Sequence, residues 1–220
     1  MRLSRRSYLA SAGAAGALGV AGCLGGSAAV PEYDCGETGQ PDIVSELPTP
    51  TIGDPDADVT VAAFEDFSCP ACGAWKTDEF PTIREEYVET GRIRFEHWDF
   101  PVTSERWTAV IPNAARGVQD RQGDEAFFEF SRVAYEHQGS YSMDVVGYAA
   151  EEAGDEPCAA VADAVATDDD ELAPPYQPVI EADFSEARDR GVTATPSVYV
   201  DGDSVDPTAD AVSDAIEDAL

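Results

Sequence analysis

The chain has 220 residues, and its 44 Asp and Glu outnumber 13 Lys and Arg, which gives a formal net charge of −31. Hydrophobic residues make up 43% and are interspersed with the acids, so we expect a folded domain with an acidic surface and not a disordered acidic tail. Such a surface repels phosphate groups and argues against a nucleic acid as partner.

The first 22 residues have the layout of an export signal. The adjacent Arg5 and Arg6 precede an apolar stretch rich in Gly and Ala, from Leu9 to Gly22. The Ser-Arg-Arg-x-Tyr-Leu core around this pair resembles a twin-arginine signal. A transmembrane anchor is the alternative, but the stretch is shorter than the roughly 20 apolar residues that span a bilayer.

Cys23 follows the apolar stretch directly, in the sequence Val-Ala-Gly-Cys. This resembles a lipobox, in which the cysteine is lipidated and residues 1–22 are a lipoprotein signal. Alternatively, the signal is cleaved nearby and Cys23 has no role. Residues 23–50 are rich in Gly, Ser, Pro and acids and predict a flexible acidic tether. We therefore expect an exported protein that Cys23 anchors to the outer face of the cell membrane.

The domain from residue 51 to 220 opens with a β-rich stretch, residues 59–67, which predicts a buried strand. The sequence Cys-Pro-Ala-Cys follows at once, from Cys69 to Cys72. Proline is common in the first turn of a helix, so the cysteines are expected at a strand-to-helix junction, with Cys69 at or just before the helix start. Pro81 is predicted to separate this helix from a second, shorter one.

The later elements are predicted from changes in apolar spacing. Residues 92–100 alternate apolar and polar side chains and predict a half-exposed strand. Apolar residues at helical spacing then predict a block of helices from about residue 104 to 190. Residues 196–202 predict a strand with a tight turn, and residues 207–220 an amphipathic terminal helix. This order predicts an α/β fold.

The two cysteines of the Cys-Pro-Ala-Cys sequence are predicted to be a reactive dithiol. A helix N-terminus carries roughly half a positive charge, which would stabilise a thiolate at Cys69, whereas Cys72 would stay a buried thiol. A zinc site is an alternative, but it needs four ligands. The other candidate ligands lie far apart in the sequence: Cys35, His97, His137 and Cys158. A purely structural disulfide is disfavoured, because so short a loop gains little chain entropy.

The order of strand, Phe-Ser-Cys-Pro-Ala-Cys, helices and Gly-Val-Thr-Ala-Thr-Pro-Ser-Val-Tyr-Val-Asp-Gly resembles the DsbA family of thioredoxin-fold oxidoreductases. The likeness covers about residues 50–220. It implies a thioredoxin fold with a helical insertion at about 104–190. It also implies a thiol-disulfide oxidoreductase with a redox-active disulfide, in which Cys69 attacks and Cys72 resolves.

The resemblance further implies how substrates bind. In the family a cis-proline faces the dithiol, and the matching residue here is Pro196, preceded by Thr195. The backbone of Thr195 would then pair with an extended segment of an exported protein. An ordinary trans proline at the start of an edge strand is the alternative. No metal or organic cofactor is implied, and a membrane redox partner would reset the dithiol.

Two positions depart from the family pattern. Relatives often carry a buried acid six residues before the first cysteine, where this chain has Ala63. Glu65 lies on the same strand face and is expected to take over this role as a proton relay, unless it is an ordinary solvated acid. Strong oxidants of the family often have His between the cysteines, where this chain has Ala71, so a less oxidising potential is expected.

Cys35 and Cys158 remain after these assignments, and an even remainder in an exported protein suggests a second disulfide between them. Two unpaired thiols are the alternative.

Two other functions fit the same sequence pattern. One is a thiol reductase of the same fold, for example one that keeps haem-attachment cysteines reduced. The other is a non-catalytic lipoprotein that binds peptides or a metal ion.

The charge predicts that stability depends on salt. An acidic surface of this kind resembles those of salt-adapted microbes, because about 1 M salt shortens the screening length to roughly 3 Å and removes most self-repulsion. We expect the free energy of unfolding to rise as KCl is raised from dilute to molar concentration. Unfolding followed by circular dichroism at several KCl concentrations measures this, and equal stability throughout would contradict it.

Overall fold

The computed structural model describes residues 29–168 and 172–220. The predicted signal and Cys23 lie outside this part of the chain. In the part described, no helix has both the length and the apolar character needed to cross a membrane.

Five strands form one mixed sheet in the order β1-β3-β2-β4-β5. The strands are β1 (Thr51–Gly53), β2 (Val59–Glu65), β3 (Ile93–Asp99), β4 (Ser197–Val200) and β5 (Asp203–Val205). Strands β2 and β3 are parallel, and the other pairs are antiparallel. The central strand β2 is buried along almost its whole length, which suits its nearly continuous apolar sequence. The sequence patterns predicted β2, β3 and β4 but not the two edge strands, which are too short to show alternation.

The helical run after the dithiol is continuous, and the predicted break at Pro81 is wrong. It consists of α1 (Pro70–Ala74), a π-helical turn (Trp75–Glu79), α2 (Phe80–Ile83) and a second π-helical turn (Arg84–Val88). Pro81 falls in the first turn of α2. The π-helical turn Trp75–Glu79 lies directly before α2, and this shift in the hydrogen-bond pattern lets the run continue past a residue without a backbone N–H.

The remaining helices cover both faces of the sheet. They are α3 (Trp107–Gln122), α4 (Asp124–Glu136), α5 (Met143–Glu152), α6 (Pro157–Asp168), α7 (Gln177–Asp189) and α8 (Ala209–Ala219). Helices α3 to α7 lie between β3 and β4 in the sequence. The larger core joins one sheet face to α2, α3, α4 and α8 through residues such as Phe95 and Phe127. A smaller cluster packs α7 on the opposite face, where Phe184 contacts Phe100.

Residues 29–50 contain no helix or strand and run along the helical layer. Gln40 donates to the Ala173 carbonyl oxygen at 2.9 Å, and Val44 N–H donates to the Pro175 carbonyl oxygen at 2.8 Å. Cys35 is joined to Cys158 on α6 by a disulfide bond of 2.11 Å. The described part of the segment therefore lies against the domain.

Removing this disulfide should destabilise the protein. The bond joins residues 123 positions apart, so it restricts the unfolded chain strongly. We expect the double variant Cys35→Ala/Cys158→Ala to lose about 2–4 kcal/mol of unfolding free energy. Denaturant unfolding of both proteins in the same salt measures the difference. An unchanged transition midpoint and slope would contradict the expectation.

Candidate active site

The dithiol lies where the sequence predicted it, at the junction between β2 and α1. Cys69 has extended backbone angles at the N-cap of α1, and Pro70 begins the helix. Cys69 is partly exposed, whereas Cys72 is completely buried in the first turn. Both are free thiols, so the structure represents the reduced form.

Hydrogen bonds make Cys69 unusually acidic. The Cys72 thiol donates to the Cys69 sulfur and is the largest cause of a pKa lowered to about 5. Burial opposes this shift, but hydrogen bonds with the Thr195 side chain and with the backbone N–H groups of Cys72 and Ala71 add to it. At neutral pH the partly exposed sulfur is therefore a thiolate.

Cys72 has the opposite properties. Burial raises the pKa of its thiol, and the hydrogen bond to Cys69 and the negative charge of Glu65 raise it further. The backbone N–H of Asp66 donates to its sulfur at 3.5 Å. The two sulfurs thus differ in both access and charge, with a thiolate at Cys69 and a thiol at Cys72.

The Thr195–Pro196 peptide bond is cis and lies next to Cys69. In the thiol form, Cys69 Sγ is 3.4 Å from the Thr195 carbonyl oxygen, which accepts its hydrogen bond. Pro196 immediately precedes β4. The structure thus brings together four of the predicted site residues: Cys69, Cys72, Thr195 and Pro196.

Glu65 is the last residue of β2, and only 1% of its surface is exposed. Its Oε1 accepts a hydrogen bond from the Trp75 indole at 3.0 Å and lies 3.4 Å from Lys76 Nζ. Its Oε2 accepts from the Tyr135 hydroxyl at 3.2 Å and lies 3.3 Å from His97 Nδ1. The alternative that Glu65 is an ordinary solvated acid is therefore wrong.

These contacts keep the Glu65 carboxyl ionised. Burial alone would raise its pKa, but the charge of Lys76 and the hydrogen bond with His97 outweigh burial and hold the pKa below its ordinary value. A carboxylate with a lowered pKa is a weak base. Its main effect on the dithiol is electrostatic, because its charge disfavours a second negative charge at Cys72.

Lys76 is the single lysine of the chain and is 7% exposed. It lies four residues after Cys72, which is about one helical turn. Its Nζ is 4.4 Å from the centre of the Phe80 ring and 5.3 Å from that of Phe95, so aromatic faces share in stabilising the cation. Burial lowers the pKa of Lys76, although the charge of Glu65 opposes that shift.

A buried chain of charges continues from Glu65 towards the helical layer. His97 Nε2 is 3.2 Å from Asp99 Oδ1, and Asp99 Oδ2 accepts from Arg116 Nε at 2.7 Å. Arg116 also donates to Asp183 on α7. Burial alone would lower the pKa of His97, but hydrogen bonds with Asp99 and Glu65 raise it. Acidic and basic side chains alternate along this chain, which connects β2 with β3, α3 and α7.

The sequence patterns indicated Glu65 but gave no role to its partners. Two signals were available: Lys76 follows Cys72 by one helical turn, and His97 and Asp99 are two residues apart on one strand face. Arg116 gave no such signal, because its contact with Asp99 depends on how α3 packs against the sheet.

The disulfide between Cys35 and Cys158 separates these two cysteines from the dithiol. Two of the four additional ligands considered for a zinc site are therefore bonded to each other. In residues 29–168 and 172–220, no group of three or more His, Cys, Asp or Glu side chains is arranged to hold a metal ion.

Comparisons with known proteins agree with this architecture. A family profile described as thioredoxin matches residues 45–218. A probable disulfide bond formation protein D of Bacillus cereus is 27% identical over 176 residues, which cover 77% of this chain and 78% of that protein.

Two crystal structures share the fold. Oxidised BdbD from Bacillus subtilis aligns with a TM-score of 0.68 and 22% identity, over 83% of this chain and 96% of that one. Chlamydia trachomatis DsbA aligns with a TM-score of 0.66 and 20% identity, over 80% of this chain and 94% of that one. The predicted α/β thioredoxin fold with a helical insertion is confirmed.

The lowered pKa of Cys69 predicts how its alkylation depends on pH. A thiolate reacts and a thiol does not, so the rate with iodoacetamide should rise with a midpoint of about pH 5 and level off by neutral pH. Mass spectrometry of the reduced protein should locate the modification at Cys69 and leave the buried Cys72 unmodified. A midpoint near the ordinary thiol value of about 8.5 would contradict the assignment.

The same shift has a consequence for stability. The pKa of Cys69 is lower in the folded than in the unfolded chain, so its ionisation stabilises the folded, reduced protein. This contribution is complete above about pH 8.5 and is lost as the pH falls to about 5. Replacing Cys69 with Ser should remove this part of the pH dependence of unfolding, which denaturant titrations of both reduced proteins would measure.

Proposed function

Because this chain belongs to the thioredoxin family, whose profile spans residues 45–218, we propose that it donates disulfide bonds to exported protein substrates through Cys69 and Cys72. The chain is a thiol-disulfide oxidoreductase of the DsbA-like type. The single observation that carries the proposed direction is the difference between the two sulfurs, an accessible Cys69 with a pKa of about 5 beside a buried Cys72 thiol.

The reaction begins from the oxidised form, in which Cys69 and Cys72 share a disulfide. A substrate thiolate attacks Cys69 Sγ, the bond to Cys72 breaks, and the released Cys72 sulfur takes up a proton. A second substrate cysteine then attacks the mixed disulfide and releases Cys69 as a thiolate. The substrate gains a disulfide, and its two electrons remain on the reduced dithiol.

The acidity of Cys69 favours this direction. A sulfur of low pKa is a good leaving group in the second step, and a stabilised thiolate stabilises the reduced form of the enzyme. Both effects make the protein a better disulfide donor than a dithiol with ordinary pKa values. This argument favours the donor over the reductase considered from the sequence.

Three further residues have proposed roles in the same reaction. The backbone of Thr195, held by Pro196, pairs with an extended substrate segment next to Cys69. Glu65 acts as a positioning residue, whose charge keeps Cys72 protonated after its release. Its lowered pKa supports this electrostatic role over that of a base that accepts the Cys72 proton.

The location proposed for the enzyme follows from its N-terminal sequence. Residues 1–22 would direct export, Cys23 would carry the lipid, and residues 23–50 would link the anchor to the domain. A membrane redox partner would reoxidise the dithiol after each cycle. The acidic composition suits a salt-rich exterior.

Substituting the two cysteines separately tests the proposed roles. Cys72→Ser should accumulate mixed disulfides with substrate proteins that carry a disulfide, because the Cys69 thiolate attacks that disulfide, releases one substrate thiolate, and no Cys72 thiol remains to displace the bound substrate. Cys69→Ser should accumulate none and should lose oxidase activity. Non-reducing gels and mass spectrometry of the trapped species would identify the bonded cysteine. Trapping in Cys69→Ser, through Cys72, would reverse the assignment.

A further inference from the structure

Next to the dithiol, the surface forms a groove of about 940 Å³, which we call the Val102 groove. Ser68 and Pro70, the two neighbours of Cys69 in the sequence, line the side of the groove next to the dithiol. Its first wall consists of residues 102–107, which follow β3, and its second wall of residues 138–141, which follow α4. The volume lies near the upper end of the range of pockets that bind small ligands, about 300–1,000 Å³.

The first wall of the groove is hydrogen-bonded to the turn that carries Cys69. The buried carboxylate of Asp66 accepts from the backbone N–H groups of Val102 at 2.9 Å and Thr103 at 2.8 Å. The same carboxylate accepts from the N–H of Ser68 at 2.8 Å. Asp66 therefore ties the residues after β3 to the dithiol turn.

The second wall is tied to the same turn. The Gln138 amide donates to the carbonyl oxygens of Phe67 at 2.8 Å and Cys69 at 2.9 Å, and the Tyr141 hydroxyl donates to Phe67 at 2.9 Å. A Cβ atom at Gly73 would clash with the Gln138 side chain, so glycine permits this approach. A segment bound in the groove would therefore be held at a fixed position relative to the Cys69 sulfur.

The groove exposes apolar surface. Val102 is 45% exposed and is one of three large hydrophobic residues exposed in the described part of the chain. Trp107 lies beside it in the lining, with its ring centre 5.6 Å from that of Tyr141. A large apolar residue left exposed beside an active site is more typical of a contact surface than of a solvated loop.

The charge of the groove is negative. Glu105 is exposed and is the charged side chain in the lining that the structure describes. Its neighbour Arg106 lies over the Trp107 ring at 4.3 Å and pairs with Asp168 at 2.7 Å, so its charge is already balanced. With a net charge of −31 on the whole chain, a cationic segment is favoured here over an anionic one.

We propose that the Val102 groove binds the part of a substrate chain that flanks its reactive cysteine, and that it selects a bulky apolar residue next to Lys or Arg. The inference rests on the proposed function. Cys69 Sγ faces Thr195 on one side, and the neighbours of Cys69, Ser68 and Pro70, line the groove on the other. A substrate segment that pairs with Thr195 therefore continues past the Cys69 sulfur into the Val102 groove. We assign the groove to the positions two and three residues from the substrate cysteine, because Ser68 and Pro70, the neighbours of Cys69, line it.

The test compares four peptides that each contain one cysteine. They differ only at the second and third residues on both sides of it, which are Trp-Lys, Trp-Glu, Ser-Lys or Ser-Glu. The quantity measured is the second-order rate of attack by each reduced peptide on the oxidised protein, by quenched flow and mass spectrometry. Each rate is divided by that of the same peptide with oxidised glutathione, which removes differences in peptide thiol reactivity.

Two variants separate charge from apolar contact. The native protein should prefer Lys over Glu peptides by about 1.4- to fivefold, the range for one exposed ion pair, and Glu105→Lys should abolish or reverse this preference. Val102→Ser should abolish the preference for Trp over Ser. Both side chains are exposed, so both variants should fold. Glu85→Lys, on the π-helical turn Arg84–Val88, is the matched charge control and should keep the native preferences.

The outcomes distinguish this inference from the proposed function. Equal rates for all four peptides, or equal effects of Glu85→Lys and Glu105→Lys, would overturn the role of the groove while exchange with dithiothreitol continues. Failure of the Cys69–Cys72 pair to exchange with dithiothreitol or any peptide would overturn the proposed function, and the role of the groove with it.

Discussion

A carboxyl group buried next to a dithiol takes up a proton unless its surroundings favour the ionised form, and Glu65 has four groups that do so. Trp75 and Tyr135 donate hydrogen bonds to its two oxygens, and nitrogens of Lys76 and His97 lie within 3.4 Å of them. Two of these partners carry the charge that offsets desolvation. The resulting negative charge is shielded from solvent and acts on the buried Cys72 sulfur. This charge adds to burial and to the hydrogen bond between the two sulfurs in keeping Cys72 a thiol beside the Cys69 thiolate.

The same reasoning explains how an acidic chain uses its few cations. With only 13 Lys and Arg available, three are paired with acids that the fold buries. Lys76 contacts Glu65, Arg116 contacts Asp99 and Asp183, and Arg121 contacts Asp155 and Asp163. A buried acid without its partner costs several kcal/mol, whereas a surface ion pair contributes at most about 1 kcal/mol. A basic residue therefore stabilises the protein more when it pairs with a buried acid than with an exposed one. The exposed acids repel one another unless salt screens their charges.

Local patterns were enough to predict the central strands, the dithiol at a strand-to-helix junction and the helical block. Each of these is encoded by neighbouring residues, as in the apolar run of β2 or the Cys-Pro-Ala-Cys sequence. The network around Glu65 was not predictable in this way. Its members come from β2, β3, the π-helical turn Trp75–Glu79, α3, α4 and α7, and most of them meet only through the parallel register that places Glu65 opposite Asp99 and through helix packing. The edge strands were missed for a different reason, since three residues carry too little periodicity.

The measurement that tests the account most directly is the reduction potential of the Cys69–Cys72 pair. The protein would be equilibrated with glutathione buffers in concentrated salt, trapped by alkylation and quantified by mass spectrometry. A Cys69 pKa of about 5 lies between the values of about 7 for thioredoxin and about 3.5 for DsbA. The account therefore predicts a potential between about −200 and −120 mV, on the disulfide-donating side. A potential near −270 mV, the value of thioredoxin, would mean that the pair is built to reduce its substrates and would contradict the account.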